Sequence, residues 1–153
     1  MPDRLTQEQR SRNMRAIRSK ATKPEILVRR WLWSHGYRYR LNVKSVPGSA
    51  DIVMRKYRTA IFVNGCFWHS HILPDGTCCK GATIPKSRVE FWTSKFAANR
   101  ARDERNYQTL QVAGWQVIIL WECMLKPVEF EQTMQKVVIA LNENLLKQYN
   151  GRI

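Results

Sequence analysis

From Gly65 to Pro85 the chain carries Cys, His, Gly and Pro with neither helical nor strand periodicity. The whole chain is 153 residues, enough for one compact domain around a single core, and an irregular segment this long inside it needs something to hold it. The segment opens Gly65-Cys66-Phe67-Trp68-His69-Ser70-His71 and contains Cys78-Cys79, while Cys123 follows much later in Trp121-Glu122-Cys123. Cys66, His71, Cys79 and Cys123 together make a Cys3His set suited to tetrahedral zinc, which would staple the loop of about residues 65–85 to the edge of a sheet. Four protein ligands leave no open position, so such a zinc is structural. Cys78 is the alternative to Cys79, and His69 the alternative to His71. Buried free cysteines beside a surface histidine are the competing reading.

The charge is as uneven as the periodicity. There are 26 Lys and Arg against 12 Asp and Glu, a formal +14, and residues 1–44 hold twelve of the basic side chains and only three acidic ones. Such an excess calls for a polyanion, and its interleaving with Met14, Trp31, Trp33 and Tyr37 favours nucleic acid over an ordinary solvated face. No apolar run approaches the ~20 residues that span a bilayer, and the N-terminus lacks the apolar core of a secretory signal. A cytosolic protein is expected, in which thiols stay reduced and bind metal rather than pair.

Thr6 to Gln9 has the spacing of a capping box and predicts a basic helix over about 7–19. Thr22, Pro24 and Glu25 mark a second helix start, with Gly36 as its stop. Tyr37, Tyr39 and Leu41 alternate with Arg38 and Arg40 as in a half-buried strand. After Pro47-Gly48-Ser49, two adjacent antiparallel strands are expected at 51–54 and 59–63. Ser87 is the expected cap of a helix running to Gly114, and Trp115 to Trp121 reads as a strand buried on both faces. A last amphipathic helix carries Phe130, Met134, Val137, Val138, Leu141 and Leu145. The fold class that satisfies this order is α/β, a mixed sheet flanked by helices in a single domain over 1–153 with a basic arm at about 1–20.

Phosphodiester hydrolysis needs a nucleophilic water, charge stabilisation at phosphorus and help for the leaving group, and magnesium held by one or two carboxylates supplies more than one of these. Asp51 suits that ion because it opens a strand at a sheet edge, and Val63 on the neighbouring strand offers a backbone carbonyl. His69, with an unperturbed pKa of ~6.5, can take a proton from water or steady the phosphate. Glu25 already has a helix-start role, and Asp103 stands among Arg100, Arg102 and Arg105, so both have bland readings as well.

These pieces resemble the very-short-patch repair mismatch endonucleases. The matching segments are Arg12-Asn13-Met14-Arg15-Ala16-Ile17, Pro47-Gly48-Ser49-Ala50-Asp51, Gly65 to His71, Glu90-Phe91-Trp92, Gly114-Trp115 and Trp121-Glu122-Cys123, in family order. The resemblance implies a restriction-endonuclease-like fold, magnesium at Asp51, catalysis by His69, and acidic positions at Glu25 and Asp103. It implies zinc at Cys66, His71, Cys79 and Cys123. It also implies aromatic wedging into DNA by Phe67, Trp68 and Trp92, with Met14 in the opposite groove and Arg12 and Arg15 on the same basic arm. A mispaired step costs less to open than a matched one, so discrimination comes partly from deformability. Two positions depart from the family pattern: Asn64 stands where an imidazole is usual in the catalytic set, and Val63 where a hydroxyl is usual. Asn can donate a hydrogen bond but exchanges no proton near neutral pH. The loop between His71 and Cys79 is also longer than usual.

The expected function is a magnesium-dependent endonuclease that nicks one strand of duplex DNA beside a T:G mismatch left by deamination of 5-methylcytosine. The rival expectations are a zinc-stabilised DNA-binding protein without cleavage and a restriction-like nuclease without mismatch preference. A monomer acting on DNA in the bacterial cytoplasm, at the nucleoid, is expected, with other mismatch-repair proteins as candidate partners and no membrane contact.

Overall fold

The first start signal near the N-terminus acts as its spacing predicts. Thr6 N–H donates to Gln9 Oε1 (2.9 Å) and Gln9 N–H to Thr6 Oγ1 (3.1 Å), the reciprocal bonds of a capping box at the head of helical residues 7–9. The computed structural model describes residues 6–9, 21–69, 71–73, 75 and 79–151, so Arg12, Met14, Arg15 and Cys78 lie outside the described residues. Helix α1 (Lys23–Ser34) has Pro24 in its first turn, and the Thr22 carbonyl accepts Ile26 N–H at 3.0 Å. The Thr22 hydroxyl makes no capping bond. Gly36, at φ +86°, stops the helix in a Schellman turn, with Tyr37 N–H on the Leu32 carbonyl and Gly36 N–H on that of Trp33.

Three strands form one sheet in the order β1 (Ile52–Met54), β2 (Thr59–Asn64), β3 (Gln116–Trp121). β1 and β2 are antiparallel, Ile52 opposite Ile61 and Met54 opposite Thr59. β2 and β3 are parallel, from Thr59 opposite Gln116 to Asn64 opposite Trp121. A parallel pair cannot be joined by a tight turn. The chain between β2 and β3 therefore holds both the irregular loop and helix α2 (Val89–Val112), and helix α3 (Pro127–Asn150) closes the order.

The sheet is covered on both faces. Val28, Trp31 and Leu32 of α1 and Met134, Val137 and Leu141 of α3 pack on Ile52, Met54, Ile61 and Leu120, with Phe130, Val138 and Leu145 against them as the last helix's periodicity predicts. On the opposite face Leu110 of α2 packs with Val46, Ala50, Val53, Ala60 and Phe62. Trp31 Nε1 donates to the exposed Glu131 Oε2 at 3.0 Å, tying α1 to α3 at the edge of the first layer.

Beyond the missing Thr22 cap, three sequence expectations change. The strand over Tyr37–Leu41 reduces to one antiparallel bridge, Arg40 with Val53, because Asn42 takes φ +51° and turns the chain away. Arg88, at φ +55°, rather than Ser87 stands at the α2 N-cap. β3 is half-buried along Gln116–Ile119, with only Leu120 buried, because it pairs on one side alone among the described strands; the doubly covered strand is β2.

Gly48 sets the approach to β1. It takes φ +92°, and a Cβ there would stand 3.1 Å from Leu110 Cδ1 and 3.3 Å from Asn106 Cβ. Gly48→Ala is expected to lower unfolding stability by about 1–3 kcal/mol, from backbone strain and overpacking, as a fall in the urea midpoint. An unchanged midpoint would show that the 47–49 turn can yield without disturbing α2.

Candidate active site and metal centre

The parallel register brings two distant cysteines together. Asn64 and Trp121 are partners at the ends of β2 and β3, and two residues past each stand Cys66 and Cys123. The loop then folds back on itself, His71 N–H to the Cys66 carbonyl (3.0 Å) and Cys79 N–H to the His71 carbonyl (3.0 Å). As a result one ligand atom each from Cys66, His71, Cys79 and Cys123 lies within 4.8 Å of the others. His71 Nδ1 is 3.4 Å from Cys123 Sγ and 3.7 Å from Cys66 Sγ, and the imidazole stacks on Trp121 at 4.0 Å and 9°. Gly81 permits the closure, since a Cβ there would come within 3.2 Å of Cys66 Cβ.

The donor types of this cluster, rather than its charge, suit a cation. Burial pushes the Cys66 thiol up to about 12 and raises that of Cys123, while Gly81 N–H draws Cys79 down. Burial also lowers the His71 pKa, keeping the ring neutral with a lone pair to give. Three sulfurs and a neutral imidazole, mostly buried, fit a tetrahedral divalent metal by donor type and number. His69, the alternative ligand from sequence, turns elsewhere: its Nδ1 is 2.5 Å from Asp103 Oδ2.

A second polar cluster lies at the start of β1. Asp51 immediately precedes that strand, and its Oδ2 accepts Val63 N–H at 2.8 Å. Burial raises the Asp51 pKa from 3.8 to about 6, against the Val63 bond; the Glu25 carboxylate adds to the rise, and His69 and Arg29 oppose it. Glu25 thus faces this site from α1. Its side chain is buried and takes Arg29 Nη2 on Oε1 at 2.5 Å instead of reaching back to cap the helix, so its location is not explained by a helix start. Asp103 reaches His69 from α2, with Arg102 farther off at 3.8 Å. A carboxylate on Nδ1 orients the ring and leaves Nε2 as the free nitrogen. Asp51, Glu25, His69 and Asp103, drawn from four separate segments, are brought together.

Asn64 is placed differently from its neighbours in sequence. It is buried on the α2 face of β2, and its Nδ2 donates to Tyr107 Oη at 2.9 Å. Tyr107 and Arg29 belong to this region; the sequence marks Arg29 only as one of the twelve basic side chains of residues 1–44 and does not mark Tyr107. For Tyr107 the available signal was helical spacing, four residues after Asp103. An open cleft of about 270 Å³ between α2 and β3 is lined by His69, Asp103, Tyr107, Arg100 and Trp121.

Beside this cleft the aromatics form a ridge. Phe67 meets Trp68, Trp92 and Phe96 edge-on at 5.0, 5.4 and 5.2 Å. Phe96 is buried and anchors the group, while Phe67, Trp68 and Trp92 keep part of their surface in solvent. Lys95 Nζ lies 5.5 Å from the Trp68 ring and the Arg88 guanidinium 4.3 Å from that of Phe91, so cations rim the ridge. Among the described residues no helix is long and apolar enough to cross a membrane.

Comparison with known proteins agrees with this chemistry. The sequence model of the family described as DNA mismatch endonuclease Vsr matches residues 2–74. A Type II nicking enzyme of Xanthomonas oryzae pv. oryzae is 46% identical over 125 residues, 82% of this chain and 88% of the relative. A Type II nicking enzyme of Neisseria meningitidis is 47% identical over 126 residues, 82% of this chain and 86% of the relative. The DNA mismatch endonuclease Vsr of Escherichia coli is 41% identical over 117 residues, 76% of this chain and 71% of the relative.

The raised Asp51 pKa has a consequence for stability. A carboxylate whose folded pKa lies above its unfolded value disfavours folding once ionised, so the penalty is small below the unfolded value and complete above about 6. Asn keeps an acceptor for Val63 N–H without the charge. In magnesium-free buffer at pH 8, Asp51→Asn is expected to be more stable than the parent by up to about 3 kcal/mol, an advantage that shrinks toward pH 5. Thermal melts at the two pH values check this, and a variant melting lower at pH 8 would show that the carboxylate supports the fold.

Proposed function

The chain belongs to the Vsr family of DNA endonucleases, and on that premise we propose that it nicks one strand of duplex DNA beside a T:G mismatch, in repair of deaminated 5-methylcytosine. The observation that carries the reading is the convergence of Asp51, Glu25 and the His69–Asp103 pair beside a cation-rimmed aromatic ridge. The Escherichia coli relative is a DNA mismatch endonuclease, whereas the Xanthomonas and Neisseria relatives are Type II nicking enzymes.

Asp51 and the Val63 carbonyl are the proposed holders of magnesium, and the fit lies in a buried carboxylate already pressed by Glu25, a pairing that a divalent cation relieves. When bound, that ion supplies positive charge to the phosphate oxygens and the leaving group. His69, oriented through Nδ1 by Asp103, accepts the proton of the attacking water at Nε2. Arg29 holds Glu25 in place at the edge of the site. Phe67 and Trp92 lean on Phe96, Trp68 leans on Phe67, and the three wedge at the mispaired step, while Lys95 and Arg88 meet phosphates. Met14, Arg12 and Arg15 reach DNA from the N-terminal arm.

Cys66, His71, Cys79 and Cys123 are the proposed ligands of a structural zinc, whose role is to hold the loop that carries His69 and the wedge. The fold is proposed to be a single restriction-endonuclease-like domain over 1–153. The enzyme is proposed to act as a monomer in the bacterial cytoplasm, with other mismatch-repair proteins as partners.

Labelled matched and T:G duplexes incubated with magnesium test the substrate. Nicking is expected on the mismatched strand; equal rates on matched DNA would remove the mismatch preference. Asp51→Ala is expected to bind the duplex while nicking falls by at least about 100-fold. Retained nicking would take Asp51 out of the metal site. Elemental analysis of the purified protein is expected to give about one zinc per chain, lost on Cys123→Ser together with a drop in melting temperature. A zinc-free parent that melts like the variant would overturn the structural zinc.

A further inference from the structure

Tyr107 is a polar side chain without a part in the chemistry above, yet it stands inside the site. It lies one helical turn past Asp103 on α2 and lines the same cleft as His69, Asp103 and Trp121. Its ring is seated edge-on against Phe62 at 4.9 Å and 72°, which limits where the hydroxyl can point. Asn64 Nδ2 donates to Tyr107 Oη at 2.9 Å. An amide nitrogen only donates, so the phenolic oxygen is the acceptor and its own proton is directed to some other acceptor. Burial, opposed by the Asn64 bond and reinforced by Asp103, Glu104 and Asp51, pushes the phenol up to about 12, so it remains a donor at neutral pH.

We propose that Tyr107 is a further catalytic residue, its hydroxyl donating a hydrogen bond to a non-bridging oxygen of the scissile phosphodiester, and that Asn64 is a positioning residue acting through it. The inference rests on the reading of this cleft as the place where a DNA strand is cut. No bond is made or broken at Tyr107; the proton stays on the phenol while charge builds on phosphorus oxygens. The pairing gives a physical role to the amide at a position where an imidazole is usual in the resembling family. A buried imidazole changes its donor pattern with pH, whereas Asn64 stays neutral, so the direction of its bond to Tyr107 does not depend on protonation.

Tyr107→Phe tests this directly, since the ring stays against Phe62 and only the oxygen is lost. Single-turnover nicking is expected to slow by roughly 10- to 100-fold, with duplex affinity within about threefold, as for loss of one hydrogen bond to a charged group that tightens in the transition state. Asn64→Ala is expected to slow nicking by about 3- to 10-fold in the parent and by less than about twofold in the Tyr107→Phe background. If Asn64 acts independently of Tyr107, the two losses multiply, and that result overturns the positioning role; if the pair only pins α2 to the sheet, Tyr107→Phe loses melting temperature and duplex affinity along with nicking, and that result overturns the catalytic role. Tyr107→Phe nicking within about twofold of the parent overturns the proposal itself, and this variant alone decides if Asn64→Ala does not fold. The parent is first run on matched and T:G duplexes and the variants are compared on whichever it cuts. Failure of mismatch preference then bears on the proposed substrate and leaves the Tyr107 result to stand or fall by itself.

Discussion

The parallel pairing of β2 with β3 is the constraint on which the rest depends. With Asn64 opposite Trp121, the strands end side by side, and whatever follows each of them emerges at the same place. Cys66 and Cys123 meet for that reason, although 57 positions separate them. The same parallel geometry forces a long crossover, and, apart from Asp51 before β1 and Glu25 on α1, the crossover supplies most of the remaining site. Its first half carries Phe67, Trp68, His69, His71 and Cys79. Its second half is α2, whose Phe96 supports the ridge, whose Asp103 takes His69, and whose Leu110 packs on the sheet.

Two centres therefore share one loop and divide it by residue. His71 turns inward onto Trp121 and the thiols, while His69, two positions earlier, turns to Asp103. Both centres concentrate donors or negative charge where burial disfavours the charged forms: Cys66 is pushed up to about 12, and Asp51 to about 6. Stability given up at such places is a common feature of functional sites. The remainder of the fold compensates with a sheet covered by apolar side chains on both faces.

Much of the architecture was legible because it is local. Capping at Thr6–Gln9, the Gly36 and Gly114 stops, the two short strands and the apolar face of α3 each follow from residues within a few positions of one another. Failures arose where a neighbour decided. Tyr37–Leu41 alternates like a strand, yet a left-handed Asn42 leaves it one bridge. Val117 to Leu120 is apolar enough for a central strand, yet it lies beside a single partner. Glu25 has the spacing of a cap, but its carboxylate meets Arg29 and faces Asp51.

By itself, the sequence determined the family: residue types, their order and the Gly65 to His71 run connect the chain with it, and they single out candidate metal ligands, a candidate proton carrier and candidate wedge aromatics. Only the tertiary structure decided which cluster each histidine joins and which group takes each side chain. His69 and His71 are indistinguishable by spacing, and the Asn64 bond to Tyr107 spans 43 positions. Such assignments depend on how a helix and a sheet are set against each other, a relation created by burial across the fold and carried by no local pattern in the chain.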